Sequence, residues 1–172
     1  MPRFLLAAIV LASSCGLALA QSQSPPSDPK PSAGTAAQPK KGFVGNISDL
    51  TEKNSDFRRV LYTGKNLQLV LMSLKPGEDI GEEVHDNVDQ FFRIEEGSGE
   101  VLINGQRSSV KSDDAILVPA GARHNVKNTG TTPLRLYTIY GPPEHKDKTV
   151  HPTKQDAQSL EVHFDGKPSE VD

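Results

Sequence analysis

Between residues 57 and 140 the apolar positions come in short bursts, each closed by a turn signal. Runs 57–63 and 67–74 are rich in Val, Leu and Tyr and flank Gly64-Lys65-Asn66. Lys75-Pro76-Gly77-Glu78 is a turn, and run 90–96 ends at Gly97-Ser98-Gly99. Runs 100–103 and 106–110 flank Asn104-Gly105, a strong hairpin signal because both residues tolerate positive φ. Runs 115–118, 124–128 and 134–140 complete the set, and 51–56 reads as a helical turn after Ser48. Many short strands with frequent turns predict an antiparallel β-sandwich or barrel. Strict alternation sends Gln90, Phe92 and Ile94 inward and Asp89 outward. It also sends Val101, Ile103, Leu117, Val126, Leu136 and Thr138, or their neighbours, inward, and Arg123 and Lys127 outward.

The flanks read differently. Arg3, an apolar run over 4–19 and the small-x-small triplet Ala18-Leu19-Ala20 form a secretory signal peptide over 1–20, with cleavage expected before Gln21. A lipoprotein reading through Cys15 is weaker, because Leu11 sits one residue too far upstream. Cleavage would remove the single cysteine, and with it any disulfide, thiol nucleophile or thiolate ligand. Residues 21–42 are rich in Pro, Ser and Ala and read as a disordered, flexible linker, since such a segment cannot bury enough apolar area to order itself. The folded domain is placed at 43–150, with a polar C-terminal tail over 151–172 in which His145, just before it, and His151 are expected to be solvated. His163 is given no role, and Asn46-Ile47-Ser48 matches a glycosylation acceptor only weakly.

Composition narrows the function. A net charge of −3 excludes a strongly basic nucleic-acid binder. The only long apolar stretch is the leader, so no transmembrane span is expected in the mature form. Nine acidic residues cluster around 78–100 against Arg93 alone and read mostly as a solvated outer face; with the inward positions mostly apolar and Arg123 and Lys127 outward, the pocket is expected to carry little positive charge.

Two segments carry a resemblance. Pro76-Gly77 leads through Glu83-Val84-His85 to Gln90 and Gly97, and Asp113 leads through Pro119-Ala120-Gly121 to His124 and Asn128. In spacing these resemble the two motifs of the cupin superfamily, and in particular small single-domain members labelled mannose-6-phosphate isomerase-like. The resemblance implies an all-β fold, an antiparallel double-stranded β-helix or jelly-roll barrel, and a homodimer. The family's usual His, Glu and Gly are here Glu83, Gln90 and Asp113. The implied metal ligands are therefore Glu83, His85, Gln90 and His124. They would hold a divalent ion such as Mn, Fe, Zn or Ni, since exchanging an imidazole for an oxygen hardens the site.

No phosphate receptor, nucleophilic triad, P-loop or dinucleotide fingerprint accompanies these motifs. Two classes of function remain open. One is an exported, periplasmic or secreted metal-dependent dioxygenase or isomerase acting on a small uncharged, carbonyl or enol substrate, with Glu83 as base. The other is a non-catalytic module that binds a small molecule or metal.

Overall fold

A computed structural model describes residues 40–160 and 162–170. The expected signal peptide and most of the expected linker lie outside them. Nine strands follow one another: β1 (Arg58–Thr63), β2 (Gln68–Leu74), β3 (Asp89–Glu96), β4 (Ser98–Ile103), β5 (Gln106–Lys111), β6 (Ala115–Val118), β7 (His124–Asn128), β8 (Leu134–Gly141) and β9 (Val150–His151). A six-stranded sheet runs β6-β3-β8-β2-β1-β9 and a three-stranded sheet runs β5-β4-β7. Every strand pair is antiparallel. β1 to β8 match the sequence expectation to within two residues, whereas β9 was not expected. Among the described residues no helix is long and apolar enough to cross a membrane.

Alternation accounts for the core. Val70, Met72, Phe92, Ile94, Val101, Val126 and Leu136 are buried on the inner faces. Each contributes about 1.5–3 kcal/mol of apolar burial. Leu117 corrects the expectation: it is 70% exposed, and its neighbours Ile116 and Val118 face the core instead. In a four-residue strand the phase cannot be read from composition, because Ile, Leu and Val all look alike. The motif positions are explained by backbone shape. Gly97 has φ +93, and a Cβ there would lie 2.7 Å from Pro133 O. Asp113, standing where the family usually has Gly, takes φ 77. Arg93 steadies it, with Nη2 2.6 Å from Asp113 Oδ1 and Nη1 donating to Asp113 O. Asn104 and Gly105 both have positive φ, as the hairpin required.

Both flanks of the barrel are ordered against it. Helix α1 (Ile47–Glu52) begins at Asn46, whose side chain caps Asp49 N, so the helix starts earlier than expected and the weak acceptor asparagine serves as its cap. It packs on the outer face of β2, β3 and β8. At the other end β9 pairs with β1, setting Arg58 opposite His151. Helix α2 (Lys154–Ser159) follows, opened by a reciprocal Thr153–Asp156 capping box and burying Ala157. His145 and His151 are therefore not solvated; both are buried. Polar composition concealed this because backbone pairing and one fully buried residue, Gln68, hold the segment. Gln68 accepts from His145 N at 2.9 Å and donates to His145 O at 2.6 Å.

Two stability predictions follow from this packing. The Asn128 side chain is fully buried, donates to Leu74 O and Thr132 O, and accepts from Gly130 N. Asn128→Ala should cost about 2–4 kcal/mol in urea unfolding, because it strands three backbone groups. A loss within experimental error would contradict that role.

His145 packs edge-on to Tyr140, with ring centroids 5.0 Å apart. Burial, reinforced by Arg58, His85, His151 and His163, holds its pKa well below the ordinary imidazole range. Its neutral ring thus supports the fold fully above about pH 6.5. That support is lost as pH falls, because the unfolded chain takes up a proton the native state refuses. His145→Phe keeps the ring and removes the proton site. Its stability should fall less steeply than wild type between about pH 6.5 and 5, and identical slopes would refute the assignment.

Candidate metal centre

The segment between β2 and β3 runs beside β7 as isolated bridges, Asp79 opposite Lys127 and Glu83 opposite His124. Glu83 N donates to His124 O at 2.9 Å, and His124 N returns a bond to Glu83 O at 3.0 Å. Gly121 N donates to His85 O at 2.8 Å. This lacing, rather than a continuous strand, brings Glu83 and His85 to the same side as His124. The ligand atoms of these three residues all lie within 4.8 Å of one another, a group that could hold a metal ion.

Gln90 enters from the first inward position of β3 and is 1% exposed. Its Nε2 donates to Thr138 Oγ1 at 3.1 Å, and its Oε1 lies 3.0 Å from His124 Nε2. Asp89 turns away, as alternation required, and accepts from Ala120 N. Glu83, His85 and His124 form one group, and Gln90 meets it through His124.

The donor chemistry fits a cation. His124 Nδ1 lies 3.0 Å from Ala122 O, which can only accept, so Nδ1 carries the ring proton and Nε2 presents a lone pair. Gln90 Oε1 is the atom beside that nitrogen, at 3.0 Å. Burial holds the His124 pKa down. His85 Nε2 is also buried, and no hydrogen bond satisfies it. Glu83 Oε2 lies 3.4 Å from His85 Nε2 and 3.9 Å from His124 Nε2. Two donors about 2.1 Å from one ion lie about 3.0–3.4 Å apart, so these separations need little adjustment.

The electrostatics differ from the expectation of little positive charge. Arg58, with a side chain 5% exposed, places Nη2 3.3 Å from Glu83 Oε1. It holds one carboxylate oxygen and leaves Oε2 to face the histidines. Glu144 approaches from the C-terminal side, with Oε2 3.8 Å from His85 Nδ1. Arg58 offsets Glu83, and Glu144 restores a net negative charge. Glu83 beside Nε2 is the main reason His85 titrates above its ordinary range, with burial opposing. Tyr140 closes the wall, its ring edge-on to His85 at 5.8 Å. Desolvation pushes its phenol far above the usual range. Sequence reading missed Arg58, Tyr140 and the part played by Glu144. Arg58 sat at an inward position of a strand whose partner, β9, gave no signal.

A cavity of ≈ 70 Å³ remains beneath α2, lined by Phe57, Arg58, Ile80, Glu83, Lys154 and Ala157 among others. Lys154 is paired with Asp79, so each cation lining it already has a carboxylate.

Comparison with known proteins agrees with this architecture. The cupin-domain family matches residues 70–140. The protein YrkC of Bacillus subtilis (strain 168) is 56% identical over 128 residues, 70% of this chain and 68% of that protein. The crystal structure of BH2720 from Bacillus halodurans is 49% identical with a TM-score of 0.69, covering 72% of this chain and 98% of that one. The tetracenomycin polyketide synthase protein TcmJ of Streptomyces glaucescens is 35% identical over 65 residues, 38% of this chain and 44% of that protein. In motif spacing, strand order and sequence likeness alike, this chain belongs to the cupin family.

Proposed function

We propose that this chain is an exported cupin that binds one divalent transition metal (Mn, Fe, Zn or Ni) through Glu83, His85, Gln90 and His124, and acts as a dioxygenase or isomerase on a small uncharged carbonyl or enol compound. The observation that carries the metal reading is the group of Glu83, His85 and His124, whose ligand atoms lie within 4.8 Å of one another, with Gln90 Oε1 3.0 Å from His124 Nε2. A cation there would draw two imidazole nitrogens and a carboxylate oxygen. The bound metal would supply a Lewis-acid centre for a substrate oxygen.

The chain's own residues set the rest. Arg58 fixes Oε1 of Glu83, so Oε2 is the oxygen that would hold the metal and that, on leaving it, would accept a proton from carbon or hydroxyl. Phe57, Ile80 and Ala157 give the small cavity beside Glu83 an apolar wall. With Arg58 and Lys154 already paired, an uncharged substrate fits better than a phosphate. TcmJ is named as a polyketide synthase protein, and polyketides are carbonyl and enol compounds, in keeping with this class.

Export is proposed from Arg3, the apolar run and Ala18-Leu19-Ala20. A homodimer is proposed from the family resemblance, and exposed Leu117 on edge strand β6 is in keeping with it.

The second reading is a metal-free binding module. Turning the Gln90 amide over would let Nε2 donate to His124 and Oε1 accept from Thr138, satisfying both without a cation.

Elemental analysis of protein recovered from its exported location, followed by metal titration, separates the two. We expect about one divalent ion per chain. His124→Ala should lose most binding, Asp89→Asn should leave it unchanged, and Gln90→Glu should tighten it roughly tenfold, about 1.4 kcal/mol. If none of these changes alters metal content, the binding-module reading stands. Oxygen uptake or isomerisation with enediol, phenolic or carbonyl compounds tests turnover. Intact mass of the same material should show a chain beginning at or near Gln21, and retained Met1 would rule out cleavage.

A further inference from the structure

We propose that the cavity beneath α2 is a substrate subsite that seats one small, uncharged end group the size of an acetyl unit, and that Ala157 sets how long that group can be. The inference deepens the proposed function, and its part in turnover rests on that reading. The seat itself is built by this chain's own side chains.

The cavity has a floor and a roof. Phe57, Arg58, Ile80 and Glu83 line it from the barrel, and Lys154, Ala157 and Gln158 line it from α2. Glu83 belongs both to the cavity and to the candidate ligand group, whereas His85 and His124 do not line the cavity. An occupant would therefore lie beside the metal group, in contact with its carboxylate, and would not compete for the imidazoles. The Glu83 side chain is 20% exposed, so solutes can reach it.

The roof is what singles this cavity out. Helix α2 is six residues long and buries only Ala157. A helix this short has little stability of its own and here gains little from apolar burial. It is nevertheless fixed at several points. Thr153 and Asp156 cap it reciprocally, Lys154 pairs with Asp79, and Phe57 N donates to Pro152 O just before it, at 3.3 Å. The floor is equally firm, with Phe57 and Ile80 buried and Ile80 N donating to Val126 O at 3.0 Å. A roof held this closely that carries one methyl group leaves open a space that a larger side chain would fill, in an interior where close packing is the rule.

The lining sets the chemistry of the occupant. Phe57, Ile80 and Ala157 offer apolar surface to a methyl group, and Arg58 and Lys154 carry N–H donors for a carbonyl or hydroxyl oxygen. Arg58 faces Glu83 and Lys154 pairs with Asp79, so no unpaired charge calls for an anion. The volume of ≈ 70 Å³ is about half of the roughly 150 Å³ that admits benzene, which leaves room for about three heavy atoms. Phe57, Arg58, Lys154 and Ala157 lie outside the residues matched to the cupin domain, 70–140, so the seat is built chiefly by the flanks of this chain.

The test uses the full chain with ¹³C-labelled isoleucine methyl groups, titrated with acetone, an uncharged probe that carries the acetyl unit. The Ile80 methyl signal of the wild type should shift saturably. Cyclohexanone, the same carbonyl on a larger ring, should shift it far less. Ala157→Leu puts three more carbons into the cavity and should weaken acetone binding about tenfold or more. Its thermal unfolding should stay at or above that of wild type, as expected of a filled cavity. Gln155→Ala, at an exposed position of the same helix, should bind acetone as wild type does. A wild-type shift that never saturates, or wild-type acetone binding in Ala157→Leu, would overturn the proposal and leave the cavity to water. If Ala157→Leu fails to fold, Ala157→Val decides: severalfold weaker binding is expected, and wild-type binding overturns the proposal. Zn²⁺ uptake by the same proteins keeps the metal reading separate. A wild type that seats acetone and takes up no Zn²⁺ supports the seat and ends the metal reading. One that takes up Zn²⁺ and does not respond to acetone overturns the seat alone.

Discussion

Two reciprocal backbone hydrogen bonds between Glu83 and His124 organise this molecule's chemistry. Antiparallel residues that exchange both bonds sit about 5.5 Å apart at Cα and project side chains to one side. The bridge therefore fixes the spacing of a carboxylate and an imidazole before any side-chain interaction is considered. It also fixes the segment leading to β3. Ile80 N bonds Val126 O, and Gly121 N bonds His85 O, so the segment from 80 to 85 is laced to β7 and the corner before it. His85 follows two residues after Glu83, and Gln90 five residues after that, at the start of β3. Loosening the bridge would part Glu83 and His85 from His124, while Gln90 stays held on β3 by β6 and β8.

Around that bridge, polar groups are arranged in an alternating order of charge. Arg58 meets Glu83, Glu83 meets His85, and His85 meets Glu144. Each buried charge has an opposite neighbour, which is the condition under which ionised groups can persist away from water. The side chains come from β1, the bridged segment and the C-terminal flank, so the chain closes on itself through electrostatics as well as through the β1–β9 pairing. Lys154 with Asp79 ties α2 to the same rim.

Much of this was legible in the sequence. The strand pattern, the Asn104-Gly105 turn and the inward aim of Gln90, Phe92 and Ile94 follow from alternation and turn chemistry, which are local. The motif spacing brought Glu83, His85, Gln90 and His124 together because the family fold converts spacing into position. What stayed hidden depends on long-range pairing. Arg58 becomes a neighbour of Glu83 only after β1 finds both β2 and β9. His145 and His151 look like solvated residues until Gln68 and β1 capture their backbone. Leu117 was misplaced because Ile116, Leu117 and Val118 give no contrast from which to read phase. Asp113 looked like a departure from the motif. The backbone shows that it preserves the left-handed turn a glycine would make, with Arg93 holding it there.

The chain has no tryptophan, so its near-ultraviolet emission comes from three tyrosines. Two of them lie on the outer face of the barrel, Tyr62 beside Phe43 and Tyr137 beside Phe91. The third, Tyr140, is 1% exposed and stands edge-on between His85 and His145. A water-borne quencher reaches the outer pair and not the inner ring. The fold thus carries a built-in optical reporter, and the light that survives quenching comes from the ring that lies against the candidate metal centre.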